Sequence, residues 1–134
     1  MIDIESQIFQ RIHNALTAKF NGIFVSGEYV PAPSVFPFVS VIQQDSYDLQ
    51  STQDSSNTEN HSVVMYEVNV YCNTRSGKKS QCKAIFSAID DIFHGLNFTR
   101  QSLTPTPNLN DARIYRMTGR YTAVVSKNEV IYRR

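Results

Sequence analysis

The first twenty residues place apolar side chains at intervals of three to five positions, with charged and polar residues between them. This spacing puts the apolar side chains on one face of a helix, so it predicts an amphipathic helix over residues 4–20. Asp3 is suited to cap its first turn, and the Asn21–Gly22 pair is a typical helix stop. The apolar stripe consists of Ile4, Ile8, Phe9, Ile12, Leu16 and Phe20.

A second apolar stripe at helical spacing lies in residues 76–94. Ser76 and Gly77 precede it, and Gly95 stands where a glycine commonly follows the last helical residue. The pattern therefore predicts a second helix with a continuous core-facing stripe. That stripe consists of Cys82, Ile85, Phe86, Ile89, Ile92, Phe93 and Leu96.

Alternating and short apolar runs predict strands in the remainder of the chain. The clearest run covers residues 63–72, which are expected to form a half-buried strand. Weaker runs predict strands over residues 23–29, 38–43, 98–103, 112–126 and 129–133, with a turn at 127–128 and prolines ending the strand at 98–103. This order predicts an α+β fold, in which both helices pack on one face of a mainly antiparallel sheet.

Length and composition favour one ordinary cytosolic domain. The chain has 134 residues, of which 41% are hydrophobic and 19% are charged, enough for a sizeable core without disulfides. Its apolar runs are too short to span a membrane, and its start lacks the pattern of a signal peptide. We therefore expect a single domain over residues 1–134, with Cys72 and Cys82 as buried free thiols.

Candidate chemistry is sparse in this sequence. The three histidines have no partner at metal-ligand spacing, and the five glycines are too scattered for a phosphate-binding loop. Asp90 and Asp91 are adjacent on a helix, so they point about 100° apart and cannot share one acid–base pocket. The sequence offers no catalytic, cofactor or metal motif, and we do not expect an enzyme.

Charge is distributed unevenly along the chain. Residues 1–60 contain two basic and seven acidic residues, whereas residues 61–134 contain eleven basic and five acidic ones. A chain whose two ends have opposite charge can complement a second copy head to tail, which is how rings are built. The alternative is that the two halves intermix in the fold and cancel locally.

The polar stretch at residues 44–62 contains no Lys or Arg. Connections of this length in compact domains are usually functional or disordered. We expect a loop that is mobile in an isolated subunit, that extends the flanking strands as a hairpin, and that orders against a neighbouring subunit or partner. The alternative is a dispensable surface loop, since insertions there cost the fold little.

Basic residues cluster at the start of the second helix and on the last strands. Cations at a helix N-terminus oppose the helix dipole, so the cluster is weak evidence for an anionic partner, and the simpler alternative is a solvated face whose charges are screened by salt. Arginines and tyrosines on the last strands suit nucleic-acid binding, but the pleat puts them on opposite faces and the net charge is only +1. The candidate assembly contacts are Asp45, Asp48, Asp54, Glu59, Lys78, Lys79, Arg116, Arg120, Arg133 and Arg134.

Seven segments follow one another along the chain: VSGEYVPAPSVFPFVSV, TQDSSNTENH, MYEVNVY, TRSGKKSQCKAI, PNLNDARIYRM, GRYTAVV and VIYRR. Their succession, in a chain of this size, resembles the tail-terminator, or tail-completion, proteins of long-tailed bacteriophages and prophages. The resemblance covers nearly the whole chain. None of the segments is diagnostic of a chemical activity.

The resemblance implies a small α+β protein that forms a hexameric ring on the head-proximal end of the phage tail tube. Such a ring ends tube polymerisation and docks to the neck of the head. Its implied partners are further copies of itself, the tail-tube protein and neck or connector proteins, with DNA passing through only as cargo. It implies no catalysis and no cofactor, and it implies a place in the host cytoplasm during assembly and then in the virion tail. A head–tail connector or neck protein is the nearest alternative, and a small nucleic-acid-binding domain is a more distant one.

Overall fold

A computed structural model describes residues 2–28, 30, 33–48, 61–74, 76–106 and 113–132. These residues form two helices and six strands. In chain order they are α1 (Glu5–Lys19), β1 (Phe24–Ser26), β2 (Phe38–Asp48), β3 (His61–Cys72), α2 (Lys78–Gly95), β4 (Thr99–Thr106), β5 (Tyr115–Ser126) and β6 (Ile131–Tyr132). The predicted α+β fold is confirmed, while the extent of a single domain over residues 1–134 stays a prediction.

The six strands form one sheet in the order β1-β2-β3-β5-β4, with β6 also paired to β5. Only β1 and β2 run parallel, and every other pair is antiparallel. Because β3 pairs with β5 along its whole length, β6 lies on the opposite side of β5 and continues the line of β4. The sheet therefore has two lateral edges, β1 with β2 on one side and β4 with β6 on the other.

Helix α1 begins one residue later and ends one residue earlier than its pattern predicts. Its N-cap is Ile4 rather than Asp3. The Asp3 carboxylate still accepts a hydrogen bond from the backbone N–H of Glu5, at 3.0 Å, and so satisfies one donor of the first turn. After the helix, Gly22 has a φ of 78°, the left-handed turn for which glycine is suited.

Helix α2 ends differently from its prediction. Gly95 is the last helical residue, and Asn97, with a φ of 67°, takes the left-handed position instead. The backbone N–H of Phe98 donates to the carbonyl of Phe93, and that of Asn97 donates to His94, which closes the helix end. Asparagine tolerates this conformation, and its side-chain amide also donates to the carbonyl of Ile131, at 3.1 Å.

Both helices cover the same face of the sheet, where the core lies. The buried side of α1 contributes Ile8, Ile12 and Leu16 to a cluster that also contains most of the α2 stripe, whose last members Ile92 and Leu96 are only partly buried against it. In its centre, the rings of Phe93 and Tyr121 stack with centroids 4.3 Å apart. Cys72 and Cys82 are buried free cysteines, as predicted.

The strands depart from their predictions at several ends. Residues 44–48 and 61–62 belong to β2 and β3 rather than to a loop, because the two strands continue pairing past an irregularity between Gln43 and Asp45. The prediction for residues 49–60 lies outside the described residues. Pro105 lies inside β4, opposite Met117, instead of ending it, since edge strands tolerate proline.

Strand β3 is buried on both faces, although alternation predicts a half-buried strand. On the face away from the helices, Val63, Asn69 and Tyr71 are at most 2% exposed. The guanidinium of Arg116 lies over the Tyr71 ring, 5.2 Å from its centroid, and bonds the Asn69 amide oxygen. The long Arg116 side chain from β5 thus covers part of this face.

Candidate assembly surfaces

The described residues contain no group of three or more His, Cys, Asp or Glu side chains able to hold a metal ion. Among the same residues, no helix is long and apolar enough to cross a membrane. The surfaces with distinctive chemistry lie instead at the two lateral edges of the sheet.

The sheet order places strands of the two halves of the chain at opposite lateral edges. Strands β1 and β2 come from residues before 61, and they form one lateral side. Strands β4 and β6 come from the basic half and form the other side. In the described part of the chain, the strands of the two halves therefore lie side by side and do not interleave in the sheet, whereas α1 packs on α2 and reaches Glu129 through the Gln7 side chain.

The first side contains an open groove of about 460 Å³, which we call the edge groove. It is lined by Glu5 and Phe9 of α1, by β1, and by Glu28 and Val41. Among the described residues, β1 pairs with only the first three residues of β2, so residues 41–48 have no strand on that side. A Glu5 carboxylate oxygen instead accepts the backbone N–H of Gln43, at 3.2 Å, in the place where a neighbouring strand would offer a carbonyl.

An apolar hollow of about 270 Å³ adjoins the edge groove. Its lining includes Pro33, Val35 and Phe38, and it shares Phe24 with the groove. The Phe24 ring is 49% exposed and stacks on Phe38 with centroids 5.5 Å apart, while Val35 is 48% exposed. This edge therefore combines carboxylates with exposed apolar surface.

The opposite edge ends in a braced hairpin, residues 126–132, which we call the edge hairpin. Ser126 braces it: its N–H donates to the carbonyl of Val130, its carbonyl accepts from the N–H of Glu129, and its hydroxyl accepts from the N–H of Val130. Lys127 is exposed at its turn, whereas the Glu129 carboxylate accepts a hydrogen bond from the Gln7 side chain, at 3.0 Å. Val130 and Tyr132 are about half exposed.

The open face of the sheet carries the two arginines predicted for β5. The Asn69 amide oxygen accepts bonds from Nε and Nη2 of Arg116, at 3.0 and 2.9 Å, and from the hydroxyl of Thr118, at 2.7 Å. Arg120 is 47% exposed and lies 3.6 Å from the Glu67 carboxylate. Arg116 is thus built into the sheet, and Arg120 is the more accessible cation. The separation of these arginines from the core-facing Tyr121 is confirmed.

The remaining candidate contacts are scattered. Asp45 is exposed on β2, and Asp48 is the last residue of that strand. Lys78 and Lys79 begin α2, where the Lys78 ammonium donates to the carbonyl of Arg113, at 3.2 Å. The predictions for Asp54, Glu59, Arg133 and Arg134 lie outside the described residues. No described contact joins Asp45 to either lysine, so the role of these residues stays a prediction.

Burial shifts the ionisation of two core tyrosines. It raises the pKa of Tyr66 well above its ordinary value, with smaller contributions from the charges of Glu5 and Asp3. It also raises the pKa of Tyr121, whose hydroxyl donates to the Asp90 carboxylate, at 3.1 Å. Both tyrosines therefore remain neutral hydrogen-bond donors in the folded protein.

These two tyrosines should make the fold sensitive to alkali. The pKa of each tyrosine is higher in the folded state than in the unfolded state, so its contribution to the free energy of unfolding is complete below about pH 10. Above that pH the contribution falls by about 1.4 kcal/mol per pH unit for each tyrosine. Urea unfolding at successive pH values measures this slope. Tyr66→Phe should remove one tyrosine's share of it, whereas Tyr132→Phe, at a half-exposed site, should not. An identical slope in Tyr66→Phe would contradict the assignment.

The residues that distinguish the two edges are not evident from the sequence. Phe24, Lys127 and Tyr132 belong to segments predicted correctly as a strand or a turn. Glu28 and Val130 are predicted in strands but lie just outside β1 and β6. The exposure of all five side chains depends on which strands lie beside them. One feature of the sequence does indicate exposed apolar side chains at the second edge: the last predicted strand is a short apolar run with too few residues to be buried on both faces.

No protein-family model matches this chain, and no curated protein matches it either.

Proposed function

We propose that this chain is a tail-terminator protein, which forms a ring on the head-proximal end of a phage tail tube, stops tube polymerisation and docks to the neck. The proposal starts from the resemblance of seven ordered segments to that family. It is supported by the fold, since two helices on one face of a mainly antiparallel sheet are what the resemblance implies.

The observation that carries the proposal is the placement of different chemistry at the two lateral edges of one sheet. The first edge offers Glu5, Glu28 and exposed apolar side chains, and the second offers Lys127 and exposed apolar side chains. Edges that differ in this way favour a contact between unlike surfaces of successive copies. When the rotation between copies closes, such contacts generate a ring.

In this role the protein assembles in the host cytoplasm and remains in the virion tail. Its partners are copies of itself, the tail-tube protein and neck proteins, and DNA passes through the ring as cargo. The role requires no reaction and no cofactor.

Electron microscopy of tail tubes tests the proposal. The cognate tail-tube protein is polymerised with increasing amounts of this chain, and tube length and tube ends are scored. We expect shorter tubes with a ring-shaped cap at one end. Tubes of unchanged length without added density at either end would contradict the proposal, and binding to isolated neck proteins alone would assign the chain to a connector role.

Assembly should weaken with salt. A single exposed ion pair is worth at most about 1 kcal/mol, but a ring repeats each pair at every contact. Raising the ionic strength from about 0.05 to 0.5 M shortens the screening length severalfold, so the assembled fraction should fall. Sedimentation velocity at constant protein concentration measures that fraction. Assembly that is indifferent to salt would assign the contact to apolar side chains alone.

A further inference from the structure

We propose that the edge hairpin of one copy inserts into the edge groove of the next. This inference rests on the proposed ring and names the contact that joins its subunits. The occupant of the groove is therefore a second copy of this chain.

The edge groove has the chemistry to hold a cation flanked by apolar side chains. Glu5 and Glu28 line it, and so do Phe9 and Phe24. Glu5 also bonds the backbone of Gln43, so Glu28, which is exposed, is the carboxylate free of that backbone bond. The volume of about 460 Å³ has room for several side chains.

The edge hairpin has the complementary chemistry. Lys127 is exposed at the turn, and the carboxylate of Glu129, two residues away, is held toward α1 by its bond with Gln7. Val130 and Tyr132 place half-exposed apolar surface beside the cation. Because three bonds at Ser126 hold the turn, little conformational freedom would be lost on binding.

The topology makes this contact intermolecular. The groove lies beside β1, and the hairpin continues the line of β4 on the other side of the sheet, with β2, β3 and β5 between them. Within one copy, the Gln7–Glu129 bond holds the hairpin against α1, and the strand order keeps it on the β4 side of the sheet. The hairpin that fills the groove therefore belongs to a second copy, which is a head-to-tail contact.

The hairpin contact is one part of a wider interface. A standard interface buries about 800 Å² on each partner, more than the exposed parts of a few side chains provide. The adjoining apolar hollow and the edge at residues 41–48, beside which no described strand lies, extend the surface on the same side. The hairpin and groove supply its charge pairing and its register.

A charge-swap experiment tests the contact. Glu28→Lys and Lys127→Glu each replace an attraction with a repulsion at every subunit contact, so each should raise the concentration for half-assembly by at least about tenfold. The double variant restores opposite charges and should recover most of the loss. Asp91→Lys makes the same charge change as Glu28→Lys at an exposed site on α2 that belongs neither to the groove lining nor to the hairpin, and it should assemble like the parent.

Light scattering in the presence of the tail-tube protein gives the readout. Single variants that assemble like the parent would overturn the hairpin contact while leaving the ring proposal standing. Weakened single variants without recovery in the double variant would also overturn it, because the two charges would then not face each other. A parent chain that never assembles would overturn the ring and the contact together.

Discussion

Replacing Phe86 with alanine should cost the fold about 3 to 5 kcal/mol, the usual range for removing a buried phenylalanine. Phe86 lies on the core side of α2 and is 2% exposed. Its ring packs directly against β5 at Gly119, so the substitution would leave a cavity between helix and sheet. Urea unfolding followed by circular dichroism measures the loss.

Phe24→Ala is the matched control for that substitution. It removes the same side chain from a half-exposed position on β1, so the free energy of unfolding should fall much less. An unfolding midpoint for Phe86→Ala equal to that of the parent would contradict the packing of α2 on β5. Equal losses in the two variants would contradict the assignment of the core to one face.

Gly119→Ala should destabilise the protein by about 1 to 3 kcal/mol, even though it adds only one methyl group. A Cβ at Gly119 would lie 2.7 Å from Cε1 of Phe86, which is closer than two carbon atoms can approach. Phe86 is buried, so its ring cannot move aside without disturbing the core. Thermal or urea unfolding measures the effect.

Gly95→Ala makes the same chemical change with the opposite expected sign. No atom lies within 4 Å of a Cβ at Gly95, and the residue is helical, so alanine should stabilise the protein by about 0.5 kcal/mol.

Combining Gly119→Ala with Phe86→Leu should recover part of the stability lost in Gly119→Ala, because the smaller leucine side chain relieves the clash with the alanine Cβ. A neutral Gly119→Ala would show that α2 sits farther from the sheet.

The helices were predictable because their stability depends on local apolar spacing. The bounds of α1 and α2 differ from their predictions by at most two residues at any end. The pattern predicts Gly95 as the left-handed residue after α2, whereas the structure has Asn97 in that conformation. Either residue type can adopt it, and the Asn97 side chain also bonds the carbonyl of Ile131, a contact that local sequence does not reveal.

The lengths of β2 and β3 were less predictable. Residues 44–48 are polar and resemble a loop, yet they pair with the start of β3. Their strand conformation comes from backbone pairing with β3. Alternation of apolar residues indicates only strands that bury one face, so it does not predict this part of β2. Pro105 likewise predicts the end of a strand, because a proline is accepted inside a strand only at the edge of a sheet, and the edge position of β4 is not visible in its local sequence.

The charge asymmetry was visible in the sequence, but its spatial consequence was not. Which residues share an edge follows from the strand order, a property of long-range pairing. Arg116 illustrates the difference, since its sequence position suggests an open contact whereas Asn69 and Tyr71 hold its guanidinium. Glu28 and Lys127 are candidate contact residues because the strand order places the groove and the hairpin at different edges of the sheet.

The most direct test of the ring proposal is the solution mass of the parent chain, measured by light scattering with and without the cognate tail-tube protein. The proposal predicts a species of about six times the 15.3 kDa chain mass, either alone or on addition of the tube protein, and its co-elution with tubes. A species that stays at 15.3 kDa under both conditions and never co-elutes with tubes would contradict it.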